Sequence, residues 1–178
     1  MIPIKIGKKK FNIKSIDELT TSEFIELSKI DNCDTIKYIA WQTGESFDSA
    51  FFAVTSKSLD IAIGKAPDVT KLPKPKWPDY TKTIDTVGQR HQVENSGKQD
   101  FELLVYCLAV SQARSNNSDQ VNELEKEYLQ RPFQEILPAG FFFFKSYKYG
   151  KKNVLTSLRL LLYSMMTPKS KRLRELKG

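Results

Sequence analysis

Apolar and polar residues alternate at the start of the chain. Apolar residues occupy every second position from Ile2 to Ile6, and the alternation resumes at Phe11 and Ile13. Since successive side chains of a strand point to opposite faces, this pattern predicts two strands. Gly7 permits a turn between them, so the segment is predicted to form a β-hairpin with lysines at its tip.

Helical spacing then replaces the alternation. Thr20 and Glu23 have the spacing of a capping box, in which each side chain bonds to the backbone of the other residue, and an apolar stripe follows. A second helix is predicted to begin at Asp34, and Gly44 suits its C-terminal end. A third is predicted to begin near Thr55 or Ser56 and to stop before Pro67.

Four prolines interrupt the pattern, in the segment KAPDVTKLPKPKWPDY. Because proline has no backbone N–H and favours extended backbone, residues 67–80 are predicted to be an extended connector. It separates residues 1–66, a β-hairpin with short helices, from a helical lobe at 81–167 and a basic tail at 168–178. The same connector could equally be strapped across one core. Trp77 is expected to pack against its own domain.

The second half of the chain is predicted to be mainly helical. Residues 80–96 have a weak strand pattern and are predicted to form a hairpin or loop, with His91 in a polar loop. FELLVYCLAV, residues 101–110, is apolar around its whole circumference, which marks a buried central helix. Asp119 is expected to cap the next helix. Together these elements predict an α+β fold.

Four consecutive phenylalanines follow Pro138 and Gly140, which are expected to kink or split their helix. Since helix positions are about 100° apart, four adjacent rings cover most of the circumference, and one surface cannot bury them all. Helices at 101–110 and 154–166 can each cover one side. A mainly core role with a partial protein interface is expected. On the interface hypothesis, Phe142→Asp or Phe143→Asp should abolish assembly while leaving a soluble, folded monomer. The candidate interface residues are Phe141, Phe142, Phe143, Phe144, Tyr147 and Tyr149.

Positive charge is concentrated at the C-terminal end. The net charge is +7, yet from Lys145 onward there are ten Lys and Arg residues against one Glu. This asymmetry suggests an acidic partner, and lysines interleaved with tyrosines are typical of surfaces that bind nucleic-acid backbones. The candidate basic contact residues are Lys145, Lys148, Lys151, Lys152, Lys169, Lys171, Arg172 and Arg174.

The composition gives little support to catalysis. The sequence has one histidine, no glycine-rich phosphate loop, and two cysteines, Cys33 and Cys107, that form no CxxC pair. Two reduced, buried thiols are expected, without a metal or cofactor. The longest apolar stretch, Ile136–Phe144, is far shorter than the roughly 20 residues that span a bilayer, so no membrane span is expected.

Three phrases resemble small proteins of tailed bacteriophages, particularly of the crAss-like group, encoded among virion and tail-morphogenesis genes. The phrases are FNIKSIDELTTSEFIELSKI, DTIKYIAWQTGESFDSAF and YLQRPFQEILPAGFFF. The resemblance covers residues 1–65 and 128–144 and carries over no functional residue. It implies a virion component or assembly factor, made in the bacterial cytoplasm, that contacts other phage structural proteins or itself. The alternative is a small basic nucleic-acid-binding protein.

Overall fold

The structure is a computed structural model that describes residues 1–46, 48, 57–113 and 117–148. Strand β1 (Ile2–Ile6) pairs antiparallel with strand β2 (Lys9–Ile13), and Ile4 lies opposite Phe11. Gly7 takes a φ of +59° at the turn, a conformation that glycine adopts without a Cβ penalty. The predicted hairpin is confirmed.

Helix α1 (Thr21–Ser28) begins with the predicted capping box. The hydroxyl of Thr20 accepts a hydrogen bond from the Glu23 N–H at 3.3 Å, and the Glu23 carboxylate accepts one from the Thr20 N–H at 2.8 Å. A short 3-10 turn (Ile16–Glu18) connects β2 to this helix. The N-terminal strands and the first helix are therefore joined by a short, capped connection.

Helix α2 (Thr35–Thr43) begins and ends as predicted. The Asp34 carboxylate accepts a hydrogen bond from the Lys37 N–H at 2.9 Å, and Gly44 closes the helix at a φ of +69°. Helix α3 (Lys57–Ile63) ends before the first proline, as predicted, while the predicted start of that helix near residue 56 lies outside the described residues.

The proline connector lies against the rest of the chain. Leu72 and Tyr80 pack on the hydrophobic core. The Trp77 ring lies 5.4 Å from the Tyr128 ring, and the Arg131 guanidinium lies over its face at 4.2 Å. Trp77 therefore packs within its own chain, as expected.

Helix α4 (Val87–Glu94) occupies the segment that was predicted to be a hairpin or loop, and that prediction is wrong. The Thr86 hydroxyl accepts a hydrogen bond from the Gln89 N–H at 3.2 Å, and the Gln89 side chain accepts one from the Thr86 N–H at 3.3 Å. This capping box starts a helix whose sequence has few apolar residues. His91 consequently lies on an exposed helical face and not in a polar loop.

Two longer helices follow. Helix α5 (Asp100–Gln112) is buried from Leu104 to Ser111, which confirms the predicted central helix. Helix α6 (Ser118–Gln130) is capped by Asn117, whose side chain accepts a hydrogen bond from the Asp119 N–H at 2.9 Å. The prediction that Asp119 is the cap is wrong by two positions, because Asp119 already lies in the first turn.

The described residues from 133 to 148 form one continuous helix, α7. The expectation that Pro138 and Gly140 split it is wrong. Both residues are buried, and packing in the interior compensates for the hydrogen bond that proline cannot donate.

One hydrophobic cluster unites the elements on both sides of the connector, and the fold is α+β. Phe24 of α1 stacks on Phe133 of α7 with ring centroids 4.1 Å apart and planes 11° apart. Ile84 and Val105, both fully buried, belong to the same cluster. The start of α7 is thereby fixed against α1 in the N-terminal half of the chain.

Candidate functional site

The start of α7 is held by hydrogen bonds with the start of α1 and with the residues just ahead of it. The N–H and the hydroxyl of the fully buried Thr21 both donate to the carbonyl of Arg131, at 2.8 and 2.9 Å. The Phe133 N–H donates to the Leu19 carbonyl at 3.4 Å. These contacts define the direction in which α7 leaves the core.

The middle of α7 crosses α5 in close contact. A Cβ placed on Gly140 would lie 2.5 Å from the carbonyl oxygen of Leu104 and 2.8 Å from its carbonyl carbon. Only a residue without a side chain permits this approach. The crossing places the phenylalanine run directly beside the N-terminal end of α5.

The four phenylalanines take different environments. Phe143 is fully buried and stacks on Tyr80, with ring centroids 5.7 Å apart and planes 4° apart. Phe142 meets the same tyrosine edge-on at 4.8 Å and lies beneath the Lys74 ammonium at 4.4 Å. Phe141 and Phe144 are only partly buried. Phe143 is therefore a core residue, while the other three rings keep part of their area accessible.

Lysines cover part of the accessible aromatic area. The Lys145 ammonium lies 4.5 Å from the Phe141 ring centroid, and that of Lys148 lies 4.8 Å from the Phe144 centroid. Tyr147, partly buried, lies 6.4 Å from the Phe144 ring. The aromatic surface is defined here as Phe141, Phe142, Phe144 and Tyr147.

Only part of the predicted basic surface is described. Lys145 and Lys148 are both exposed and lie beside the aromatic surface. The other candidate contact residues, aromatic and basic, lie outside the described residues: Tyr149, Lys151, Lys152, Lys169, Lys171, Arg172 and Arg174.

An open apolar groove of about 840 Å³ adjoins the aromatic surface. Phe141 and Phe144 form one wall, and residues at the start of α5 form the other. A second cavity of about 610 Å³, between α1 and α2, continues from it through shared residues. The apolar residues that line the groove are Pro67, Val69, Phe101, Leu103, Leu104, Phe141 and Phe144.

Three charged residues line the same groove. The Lys98 ammonium pairs with the mostly buried Glu125 carboxylate at 2.8 Å, and Asp68 lies 3.3 Å from the Lys71 ammonium. Asp100 is exposed, and its carboxylate forms no hydrogen bond or ion pair with any described residue. Of the three, Asp100 is therefore the one that has no ion-pair partner in the described part of the chain.

The two thiols are in opposite environments. Cys107 is fully buried, and desolvation raises its pKa to about 12, which keeps it protonated and unreactive. Cys33 is exposed, so the expectation that both thiols are buried is wrong for this residue. It lies in the loop ahead of α2 and not on an apolar helix face, and partial desolvation together with Asp34 raises its pKa. Both cysteines are free.

Side chains suited to other chemistry are dispersed over the described part of the chain. Within it, no three His, Cys, Asp or Glu residues are placed to hold a metal ion. The His91 ring nitrogen contacts the Asn95 amide at 2.8 Å on the exposed face of α4. Among the same residues, no helix combines the length and the apolar character that a membrane crossing requires.

Sequence reasoning missed the groove and its charges. The residues of the wall opposite the aromatic surface lie far along the chain from Phe144, and the Gly140 crossing brings the two together. A glycine next to four phenylalanines was the one local signal of a close helix contact.

No family model, curated protein or solved structure matches this chain.

Proposed function

We propose that this protein is a non-enzymatic structural or assembly protein of a tailed bacteriophage that works through protein–protein contacts. The observation that carries the proposal is the aromatic surface with its adjoining groove. Its rings are partly buried and keep accessible apolar area beside an apolar groove, an arrangement typical of protein interaction sites. The phage-like phrases in the sequence add independent support.

The partners on this proposal are other phage structural proteins or further copies of the chain. The protein is made in the host bacterial cytoplasm and acts there or within the virion. Cation–ring contacts at Lys145 and Lys148 suit such a surface, because they orient the charges around the rings and leave apolar area between them.

The test is the mass of the purified protein by size-exclusion chromatography with light scattering, at low and high salt. An apolar interface predicts a defined oligomer that persists at high salt. Phe144→Asp should abolish that oligomer while circular dichroism remains that of the folded protein. Val87→Asp is the matched control, since Val87 is 82% exposed and lies on α4. Equal loss of assembly in both variants would contradict the assignment.

A second candidate is a small basic nucleic-acid-binding protein, favoured by the exposed Lys145 and Lys148 beside aromatic rings. It predicts a monomer that carries nucleic acid at low salt and releases it at high salt, with a matching change in the 260/280 nm absorbance ratio. Charge reversal at Lys148 and Lys151 should then weaken binding to all sequences alike. Binding that does not depend on salt would exclude this candidate.

A further inference from the structure

We infer that the outward face of the β-hairpin is a contact surface for the phosphate backbone of duplex DNA. Three exposed lysines form this surface, Lys5 of β1, Lys10 of β2 and Lys8 of the turn, and they are called the hairpin lysines here. The inference does not depend on the proposed function, because it uses neither the aromatic surface nor the groove. It also names a different surface from the second candidate function, which places nucleic acid at the end of α7.

The pairing of the two strands places like charges opposite each other. Ile4 and Phe11 form a cross-strand pair whose side chains pack on the hydrophobic core. The next pair, Lys5 and Lys10, therefore lies on the other face of the hairpin, where both residues are exposed. Side chains directly opposite each other start about 4.5–5.5 Å apart at their Cβ atoms, and like charges in this arrangement are destabilising. An anionic partner would remove that repulsion.

The other two lysines of this region are neutralised within the chain. The Lys9 ammonium lies 2.6 Å from the Glu45 carboxylate, and the Lys14 ammonium lies 2.5 Å from that of Glu23. By contrast, no hydrogen bond or ion pair joins a hairpin lysine to any side chain that the structure describes. Residues 1–14 contain five lysines and no Asp or Glu. The fold thus supplies carboxylates to two of these lysines and leaves three positive charges together on one surface.

The chemistry and the shape of this surface favour the phosphates of a DNA duplex. An ammonium binds phosphate as a point charge, whereas a planar carboxylate is matched best by the guanidinium of arginine, which residues 1–14 lack. Two paired strands, about 4.8 Å apart, form a ribbon that the major groove of B-DNA, about 12 Å wide, admits. The turn consists of Gly7 and Lys8 and carries no apolar side chain that could enter a lipid surface.

The test measures the affinity of the full chain for a 20-base-pair DNA duplex of mixed sequence between 50 and 200 mM salt, by fluorescence anisotropy. Three phosphate contacts contribute about 2.7 to the slope of log K against log salt concentration. Over this range the affinity of the parent should therefore fall about 40-fold more than that of the triple variant Lys5→Gln/Lys8→Gln/Lys10→Gln. A parent that does not bind the duplex, or a triple variant with the parent's slope, would overturn the contact.

A matched control separates a local contact from the effect of net charge. Lys5→Gln alone should lower the slope by about 0.9. Lys126→Gln removes the same charge from an exposed position on α6, between Glu125 and Glu127, and should leave the slope unchanged. Equal decreases in the two variants would overturn the contact, because the effect would then come from the total charge of the protein.

Charge reversal separates binding from folding. Lys10→Glu places a carboxylate opposite Lys5, so it should raise the midpoint of urea denaturation. The same substitution should lower the affinity for DNA at 50 mM salt about tenfold or more, because it replaces a phosphate contact with repulsion. Affinity lost while stability is kept or raised supports the contact. Loss of stability together with affinity would overturn it, since the hairpin would then have unfolded.

Two further probes identify the class of anion. Polyglutamate and vesicles that contain phosphatidylserine present carboxylates and lipid phosphates in place of DNA. The duplex should bind more tightly than either, and the triple variant should lose most of that difference. Equal or tighter binding of polyglutamate or vesicles through the hairpin lysines would overturn the assignment to DNA. A slope that falls in Lys145→Gln/Lys148→Gln and stays unchanged in the triple variant would place the DNA contact at the end of α7 and overturn the inference as well.

Discussion

Gly140 lies against the backbone of Leu104, closer than any side chain would allow. A Cβ at position 140 would come within 2.5 Å of the Leu104 carbonyl oxygen. The obstruction is backbone within the buried helix α5, so it cannot move aside as the end of a flexible side chain would. This contact fixes the separation of α5 and α7, and with it the width of the groove.

Gly140→Ala is therefore expected to destabilise the protein by about 1–3 kcal/mol, the usual cost of overpacking a core. This loss of stability is opposite to the usual effect of the substitution, because alanine normally stabilises a helix relative to glycine by about 1 kcal/mol. Gly88→Ala, on the exposed face of α4, is the control and should be neutral or stabilising. Urea denaturation measures both. A Gly140→Ala protein as stable as the parent would show that the two helices can separate freely.

Phe143 and Phe141 should differ sharply when truncated. Phe143→Ala removes a fully buried ring and is expected to cost about 3–5 kcal/mol, whereas the partly buried Phe141 should cost much less. For the same reason, Phe143→Asp should unfold the chain and not yield a folded monomer. Chemical denaturation of the two alanine variants gives the comparison. If the two alanine variants lost equal amounts of stability, both rings would belong to the core.

Thr21→Val tests the link between the two ends of the described chain. The substitution keeps the shape but removes the hydroxyl that donates to the Arg131 carbonyl at 2.9 Å. The expected cost is about 0.5–1.5 kcal/mol, since the Thr21 N–H continues to satisfy that carbonyl. Thr21→Ser keeps the hydroxyl and is the control for the lost hydrogen bond. Thermal unfolding should remain a single transition, because the link lies within one core; two separate transitions would contradict this.

The thiols should react one at a time. At pH 8, a disulfide reagent such as DTNB should modify Cys33 in the folded protein and Cys107 only after unfolding. Cys33→Ser should leave no thiol that reacts in the folded state. Two thiols of equal reactivity in the native protein would contradict the burial of Cys107.

Burial of Cys107 also predicts a dependence of stability on pH. Its pKa rises from 9.0 to about 12 on folding, so the folded state favours the protonated thiol. The stabilisation is fully present below pH 9.0 and is lost as the pH rises towards 12. Cys107→Ala should flatten this part of the stability curve, measured by denaturation between pH 8 and pH 11. If Cys107→Ala left the slope of stability against pH unchanged, the loss of stability at alkaline pH would have to come from other groups.

The sequence predicted those strands and helices that are determined by residues close together in the chain. Alternation predicted the hairpin, and the capping box at Thr20 predicted the start of α1. A comparable signal was overlooked at Thr86 and Gln89, because the α4 segment has too few apolar residues to show a helical stripe. The uninterrupted apolar run predicted that α5 is central. Periodicity and capping therefore account for most of the secondary structure.

The elements and surfaces that depend on tertiary packing could not be predicted in this way. Pro138 and Gly140 read locally as helix breakers, yet both are buried within α7, where the crossing with α5 requires a glycine. The four phenylalanines were expected to divide between core and surface. The fully buried ring, Phe143, stacks on Tyr80, and that residue comes from the connector. Packing between distant residues decided each of these cases.

The bond from Thr21 to Arg131 also has a consequence for the order in which the protein forms during synthesis. Its two residues are separated by 110 positions. A ribosome that adds about 5–20 residues per second needs roughly 6–20 s to cover that interval. For this time the buried face of α1, including Phe24, has no Phe133 to stack on. The nascent chain thus exposes an apolar helix face early, and a chaperone that binds such surfaces has several seconds in which to bind it.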